Sequence, residues 1–285
     1  MLNIFKKAQE NKYAIGAFNV SNLEQVKAIV QAAQNLQSPV IISTSEGESN
    51  FIGKKQIRLI IDAYKEQTGL PIILHLDHGK SFEAIKEAIE IGYDSIHFDG
   101  SKLSFEENIE ETKKIVDFAR EKGIKNIEGE LGYLRGGSNI HKTIEVKPED
   151  LTNSKQAEEF VNKTGVDSLA IVIGNIHGIS KSGESPHIFL DRLEEINKVV
   201  GDEIGLVLHG GSGIKEEDIE KSIQLGIIKI NVNTELRVAY TESLKKSLQD
   251  DPDRVTPYKI MPPVVEAVQK VVEDKIKIFG SNNKS

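Results

Sequence analysis

The feature that most constrains this chain is an alternation repeated along its length. A short run of β-branched and aliphatic residues gives way to a turn of glycine and polar side chains, and then to a longer amphipathic stretch. The short runs predict strands at residues 14–18, 39–43, 71–76, 93–98, 126–131, 168–173, 204–208 and 227–230. Between them the 3.6-residue period predicts helices, first on the face of Val26, Ile29, Val30 and Ala33, then at 54–67, 81–91, 106–122, 154–164 and 190–200, and from near Lys215. No linker rich in proline, glycine or serine interrupts the series. Strands separated by crossover helices pair in parallel, so about eight such units in 285 residues point to a (β/α)8 TIM barrel. A doubly wound open sheet shares the periodicity. The expected organisation is one domain over 1–285, with helices and a tail from about 255.

The unusual residues cluster by position. Asn19, Ser45, Asp77, His78, Asp99, Glu130, His177, His209 and Asn231 all fall at or just beyond the carboxyl end of a predicted strand. A parallel barrel gathers those ends on one face, where active sites are built. Histidine is scarce, seven in all, yet His78, His177 and His209 follow strands three, six and seven, each with glycine directly after it. Three histidines with an open fourth position form a catalytic zinc set. The chain has no cysteine, so any metal must be held by imidazole and carboxylate. Asp77, beside His78, can orient that ligand or move a proton next to the metal. Glu128 and Glu130 share a strand face by the two-residue period. Of the remaining histidines, His75 is expected to pack or to orient a neighbour, His97 to sit in the core, and His141 and His187 to be solvated. Lys229 reads as a charged strand flank.

A second cluster suits an anion. His209, Gly210, Gly211, Ser212 and Gly213 lead into the helix near Lys215, which would offer free backbone N–H groups and a helix N-terminus. Its place after strand seven, with Asn231, Val232, Asn233 and Thr234 after strand eight, is the customary phosphate site of barrels. The polar stretch 132–152, with Gly136 and Gly137 as a hinge, is long enough to be functional or mobile. Against 44 acidic residues there are 36 basic ones, a net charge of −8, and no basic run, which argues against nucleic acid. No segment approaches the ~20 apolar residues of a membrane span, and the first seven residues lack the apolar core of a signal peptide. A soluble, cytoplasmic protein is expected.

Taken together, residues 74–79, Asp99-Gly100-Ser101, Glu130-Leu131-Gly132, residues 174–178, residues 208–213 and residues 229–235 resemble the class II, metal-dependent ketose-bisphosphate aldolases. The matches run in family order from Gly16-Ala17-Phe18-Asn19-Val20 to Phe279-Gly280-Ser281. The resemblance implies Zn²⁺ on His78, His177 and His209, with Asp77 removing the C4 hydroxyl proton in cleavage and returning it in condensation. It implies that Gly178, Lys181, Gly210, Gly211, Ser212, Asn233 and Thr234 surround the dihydroxyacetone-phosphate phosphate and a monovalent cation, Na⁺ or K⁺. Asn231 would meet the substrate carbonyl region, Asn19 and Ser45 the far phosphate, and Arg237 would add a contact. Asp99 and Glu130 would form an outer layer or an alternate metal position. The implied partners are a sugar bisphosphate and its triose phosphates, in glycolysis and gluconeogenesis, on a homodimer or homotetramer.

The chemistry agrees with that assignment. Aldol cleavage leaves negative charge on the departing ketone, stored as an enediolate, and zinc is a Lewis acid suited to it. The alternative, a lysine Schiff base, finds no lysine on strand six. Two departures matter. Relatives carry a Gln-Glu-Asp-Asp type run in the loop after strand five, whose glutamate moves the proton at the ketone carbon, and here Glu145 is the nearest counterpart. Ser180 stands where relatives commonly have tyrosine. Asn233 leans towards fructose 1,6-bisphosphate over tagatose 1,6-bisphosphate. A zinc-hydroxide barrel hydrolase and a silent sugar-phosphate binder are the rivals from other classes. The glycine-rich anion site weighs against the first, and the intact Asp77 and three histidines against the second.

Overall fold

The computed structural model describes residues 3–142 and 144–285. In chain order its strands are β1 (Ile15–Asn19), β2 (Val40–Thr44), β3 (Ile72–Gly79), β4 (Ser95–Phe98), β5 (Ile127–Leu131), β6 (Gly136–His141), β7 (Ser168–Ile171), β8 (His177–Ser180), β9 (Gly205–Leu208) and β10 (Ile227–Val232). Eight of them close into a parallel barrel in the order β1, β10, β9, β7, β5, β4, β3, β2, while β6 and β8 pair apart from it. The open-sheet alternative is thereby removed. The helices are α1 (Asn3–Glu10), α2 (Leu23–Leu36), α3 (Glu46–Ile52), α4 (Lys54–Thr68), α5 (Phe82–Ile91), α6 (Phe105–Glu121), α7 (Ser154–Thr164), α8 (Leu190–Val200), α9 (Glu216–Gln224), α10 (Thr234–Asp250), α11 (Pro257–Ile260) and α12 (Pro262–Ile278). No helix among the described residues is long and apolar enough to cross a membrane.

Local chemistry sets where the helices begin and stop. Asn22 caps α2 by accepting the Gln25 N–H, and α2 then buries Val26, Ile29, Val30 and Ala33. Ser81 caps α5 and Gly92 ends it in the left-handed region at φ 100°. Each such cap contributes about 1 kcal/mol. Ser45 and Glu48 form a reciprocal capping box, which starts α3 where the sequence period shows only a strand-end turn. β3 runs on to Gly79, so the Asp77-His78 pair lies within the strand and not beyond it. Among its described residues the stretch 132–152 carries β6 and one 3-10 turn at Pro148–Asp150.

The barrel interior is layered. At the amino-terminal end Phe5 of α1 packs with Ile15, Ala17, Ile41, Ile73 and Ile228 in an apolar plug. Further along the strands the interior turns polar, with His75 two residues past Ile73 on β3, Glu128 on β5 and Lys229 on β10, all buried. Lys229 is therefore no strand flank: β10 is buried along its length, and the lysine points at Glu128 inside the barrel. A second, larger core of aliphatic residues lies between the barrel and its helices.

Candidate active site

At the carboxyl ends of the strands a cavity of about 430 Å³ opens. Its lining includes Asn19, Ser45, Asp77, His78, Asp99, Glu130, His177, Gly178, His209, Gly210, Ser212, Asn231, Asn233, Thr234 and Arg237, drawn from strand ends scattered over the chain. Three of the residues singled out by sequence do not line it. The Gly211 N–H donates to the Asn231 carbonyl at 2.8 Å, tying that turn to β10. Lys181 is exposed, its N–H bonded to the His141 carbonyl at 2.7 Å. Glu145 is exposed.

Asp77 and His78 are adjacent, and in a regular strand they would point to opposite faces. Both reach the cavity because His78 takes a left-handed backbone, φ 52°, and the pairing of β3 with β4 shifts register between Leu76 and Gly79. A non-glycine residue there costs about 1–2 kcal/mol. The His78 N–H offsets part of that by donating to His97 Nδ1 at 3.1 Å.

The two imidazoles at the centre face each other. His78 Nε2 is 3.1 Å from His209 Nδ1. Each ring has a carboxylate on its other nitrogen, Asp99 Oδ2 at 3.1 Å from His78 Nδ1 and Glu128 Oε1 at 2.8 Å from His209 Nε2. A carboxylate only accepts, so both outer nitrogens carry hydrogens. Two lone pairs would then meet at the centre, an arrangement that requires a cation between them. In the metal-free protein that cation is a proton on His78. Burial opposes its charge, but Asp77, the hydrogen bond to Asp99, and Glu130 push its pKa up to about 10. Burial and the His78 charge hold His209 far below its ordinary value and lower His177 to about 4.

Asp77 completes the centre. Its Oδ1 accepts from Asn231 Nδ2 at 3.0 Å and its Oδ2 from Asn19 Nδ2 at 2.9 Å. Oδ1 lies 4.0 Å from His78 Nε2 and 3.9 Å from His209 Nδ1. Burial works against its charge, yet His78 and His209 hold the carboxyl far below the usual carboxylate range. Asp77, His78, His97 and His209 offer ligand atoms within 4.8 Å of one another, as do His78, Asp99 and Glu130. The donor set fits a divalent cation: bare imidazole nitrogens whose partners are fixed by carboxylates. Glu130 Oε2 is buried without a hydrogen-bond partner, 3.1 Å from His97 Nε2 and 3.5 Å from His78 Nδ1. His177 stands further off, its ring centroid 5.1 Å from His78 and 6.5 Å from His209. It opens β8, on the small sheet above the barrel, and its carbonyl bonds His141 Nε2 at 2.8 Å. His141 is thus a half-buried brace, not a solvated loop residue.

At one end of the cavity Gly210, Ser212, Asn233 and Thr234 form a polar wall. The helix that begins there is α10, whose first residue is Thr234, whereas Lys215 at the head of α9 does not line the cavity. Asn233 Oδ1 is buried and has no partner. The oxygen and the α10 N-terminus offer an acceptor and a partial positive charge side by side. Over the ends of β1 and β2 Glu48 organises the wall. Its Oε2 accepts from Asn19 Nδ2 at 2.9 Å and from Ser45 Oγ at 2.9 Å, and its Oε1 pairs with Arg237 Nη2 at 2.7 Å. Arg237 Nη1 also donates to the Ser138 carbonyl at 3.0 Å.

Sequence reasoning passed over Glu48, His97 and Lys229. Glu48 had a readable signal in the Ser-x-x-Glu spacing from Ser45. For His97 the signal was the two-residue step to Asp99, and for Lys229 the same step to Asn231, which puts each on the inward face.

Comparison with known proteins agrees with this geometry. Residues 1–284 match the family described as fructose-bisphosphate aldolase class-II. The chain is similar to a sulfofructosephosphate aldolase of Alkalicoccus urumqiensis, 39% identical over 99% of this chain and 96% of that one. It is also similar to a fructose-bisphosphate aldolase of Staphylococcus aureus, 40% identical over 98% of this chain and 96% of that one. The crystal structure of the YdjI aldolase from Escherichia coli K12 superposes with a TM-score of 0.84 at 35% identity, covering 98% of this chain and 96% of the other.

Proposed function

Because the chain belongs to the class II fructose-bisphosphate aldolase family, we propose that it is a zinc-dependent lyase that reversibly cleaves fructose 1,6-bisphosphate to dihydroxyacetone phosphate and glyceraldehyde 3-phosphate. The observation that carries the reading is the approach of the Asp77 carboxylate to the facing nitrogens of His78 and His209, 4.0 and 3.9 Å away, at the floor of a polar cavity. His78, His209 and His177 would hold a divalent cation, which would supply Lewis-acid stabilisation of charge on the ketone oxygen. Asp77, ionised and gripped by Asn19 and Asn231, takes the C4 hydroxyl proton in cleavage and returns it in condensation. Asp99 orients His78, and Glu130, with His97 behind it, stands as an outer layer or alternate metal position.

The wall of Gly210, Ser212, Asn233 and Thr234, with Gly178, suits the phosphate of the ketone fragment and a monovalent cation, Na⁺ or K⁺, beside it. Lys181 and Gly211 contribute there only if their loops close. Asn231 reaches the carbonyl region, and Asn19, Ser45 and Arg237 take the far phosphate in place of Glu48. Glu145 handles the proton at the ketone carbon only if the loop carrying it folds inward, and Glu145→Ala tests this through exchange of the dihydroxyacetone-phosphate proton with solvent. The protein acts in the cytoplasm, in central carbohydrate metabolism, as a homodimer or homotetramer.

A second substrate reading has its own observation. The 39% identity to a sulfofructosephosphate aldolase extends over 99% of the chain, so a sulfonate could stand at the far end of the sugar. Turnover measured side by side on fructose 1,6-bisphosphate, its C4 epimer tagatose 1,6-bisphosphate and a sulfofructose phosphate tests the assignment. A higher kcat/KM on either of the latter two would replace fructose 1,6-bisphosphate, and inactivity on all three would sink the reading.

A further inference from the structure

Below the site, the barrel holds a charge pair that takes no part in the proposed chemistry. Lys229 Nζ lies 2.6 Å from Glu128 Oε2 and 3.0 Å from His75 Nε2, and His75 Nδ1 lies 2.9 Å from Ser95 Oγ. Lys229 is 1% exposed and Glu128 fully buried. The other oxygen of Glu128 faces His209 Nε2 at 2.8 Å. An ammonium only donates and a carboxylate only accepts, so every hydrogen along this row has one possible place. Lys229 donates to Glu128 and to His75 Nε2, His75 carries its proton on Nδ1 towards Ser95, and His209 carries its own on Nε2. The nitrogen that remains bare is His209 Nδ1, the one aimed at His78.

We propose that Lys229 is a positioning residue for the metal centre: acting through Glu128, it locks His209 in the tautomer whose Nδ1 lone pair faces the cation. The inference rests on the reading of His209 as a metal ligand. It has a consequence that simple loss of a hydrogen bond lacks. In Glu128→Gln the shape is kept, but Lys229 has only donors and claims the single amide oxygen. The amide NH₂ is then turned on His209 Nε2, a donor against a donor, and the ring proton is driven to Nδ1, where it blocks the metal. Adding Lys229→Met frees the amide to turn its oxygen back to His209. The second substitution therefore restores what the first removes.

The test measures Zn²⁺ affinity by competition with a chromophoric chelator for the wild-type protein, Glu128→Gln and the double variant, with thermal melts of each. The ¹⁵N spectrum of histidine-labelled, metal-free wild-type protein reports the tautomer directly. Expected are a protonated Nε2 on His209, affinity weakened by about 10- to 100-fold in Glu128→Gln, and at least partial recovery in the double variant. A bare Nε2 in the wild-type protein, wild-type affinity in Glu128→Gln, or a double variant that binds no tighter than the single would overturn the proposal. If either variant fails to fold, the wild-type spectrum still decides. Wild-type protein that binds no Zn²⁺ defeats the metal reading itself, whereas tight wild-type binding with indifferent variants defeats only the role of Lys229.

Discussion

His78 Nε2 and His209 Nδ1 stand 3.1 Å apart, nitrogen against nitrogen, although 131 residues separate them along the chain. In the metal-free protein a proton bridges them, and a metal must displace it. The folded pKa of His78, about 10, lies above its ordinary 6.5. Its stabilising contribution is therefore complete below pH 6.5 and is lost as the pH rises towards 10. Metal binding between those limits should release about one proton from this group, so affinity should climb with pH. Calorimetry at pH 8 in buffers of different ionisation enthalpy measures the count, and a value of zero would refute the bridge.

Chelation should abolish cleavage, and added Zn²⁺ should restore it. Full activity in excess chelator, or trapping of substrate on a lysine by borohydride, would point to the Schiff-base route instead.

Asp77→Ala should lower kcat by about 10²–10⁴-fold, the usual worth of a positioned acid or base, while Zn²⁺ stays bound. The substitution also leaves the amide of Asn231 without its acceptor, whereas Asn19 keeps Glu48. Near-normal turnover with metal in place would remove Asp77 from the mechanism.

Gly178→Ala should raise KM more than it lowers kcat. Gly178 has φ +95°, and an added Cβ would fall 2.4 Å from the Asn139 carbonyl oxygen and 2.6 Å from that of Gly137. β6 and β8 would part, and with them the wall beside the phosphate. A KM within twofold of wild type would show that the small sheet does not shape that wall.

Much of the fold was legible because two periods, 3.6 and 2, recur without a break: α7 and α8 begin and end where the sequence period put them. The strand ends were legible too, since a barrel brings Asp77, His78 and His209 together whatever lies between them. What stayed hidden depended on contacts between distant segments. The pairing of β6 with β8 crosses about 40 residues of chain, and neither strand carries the alternation of a buried strand, because both sit above the barrel. Lys229 looked like a surface charge because its counter-charge, Glu128, lies 101 positions away. The helix terminus at the anion wall belongs to α10 and not α9, a choice made by the barrel's geometry and not by the glycines before Lys215.

The ladder between β6 and β8 joins two loops that would otherwise answer to different parts of a ligand. Gly178 lines the cavity with Ser212 and Thr234, while Ser138 on the paired strand holds the lining side chain of Arg237 through its carbonyl. One stretch of paired backbone thus borders the cavity at Gly178 and anchors one of its lining side chains, Arg237. A shift of either strand must move its neighbour, so Gly178 and the anchor of Arg237 travel as one unit.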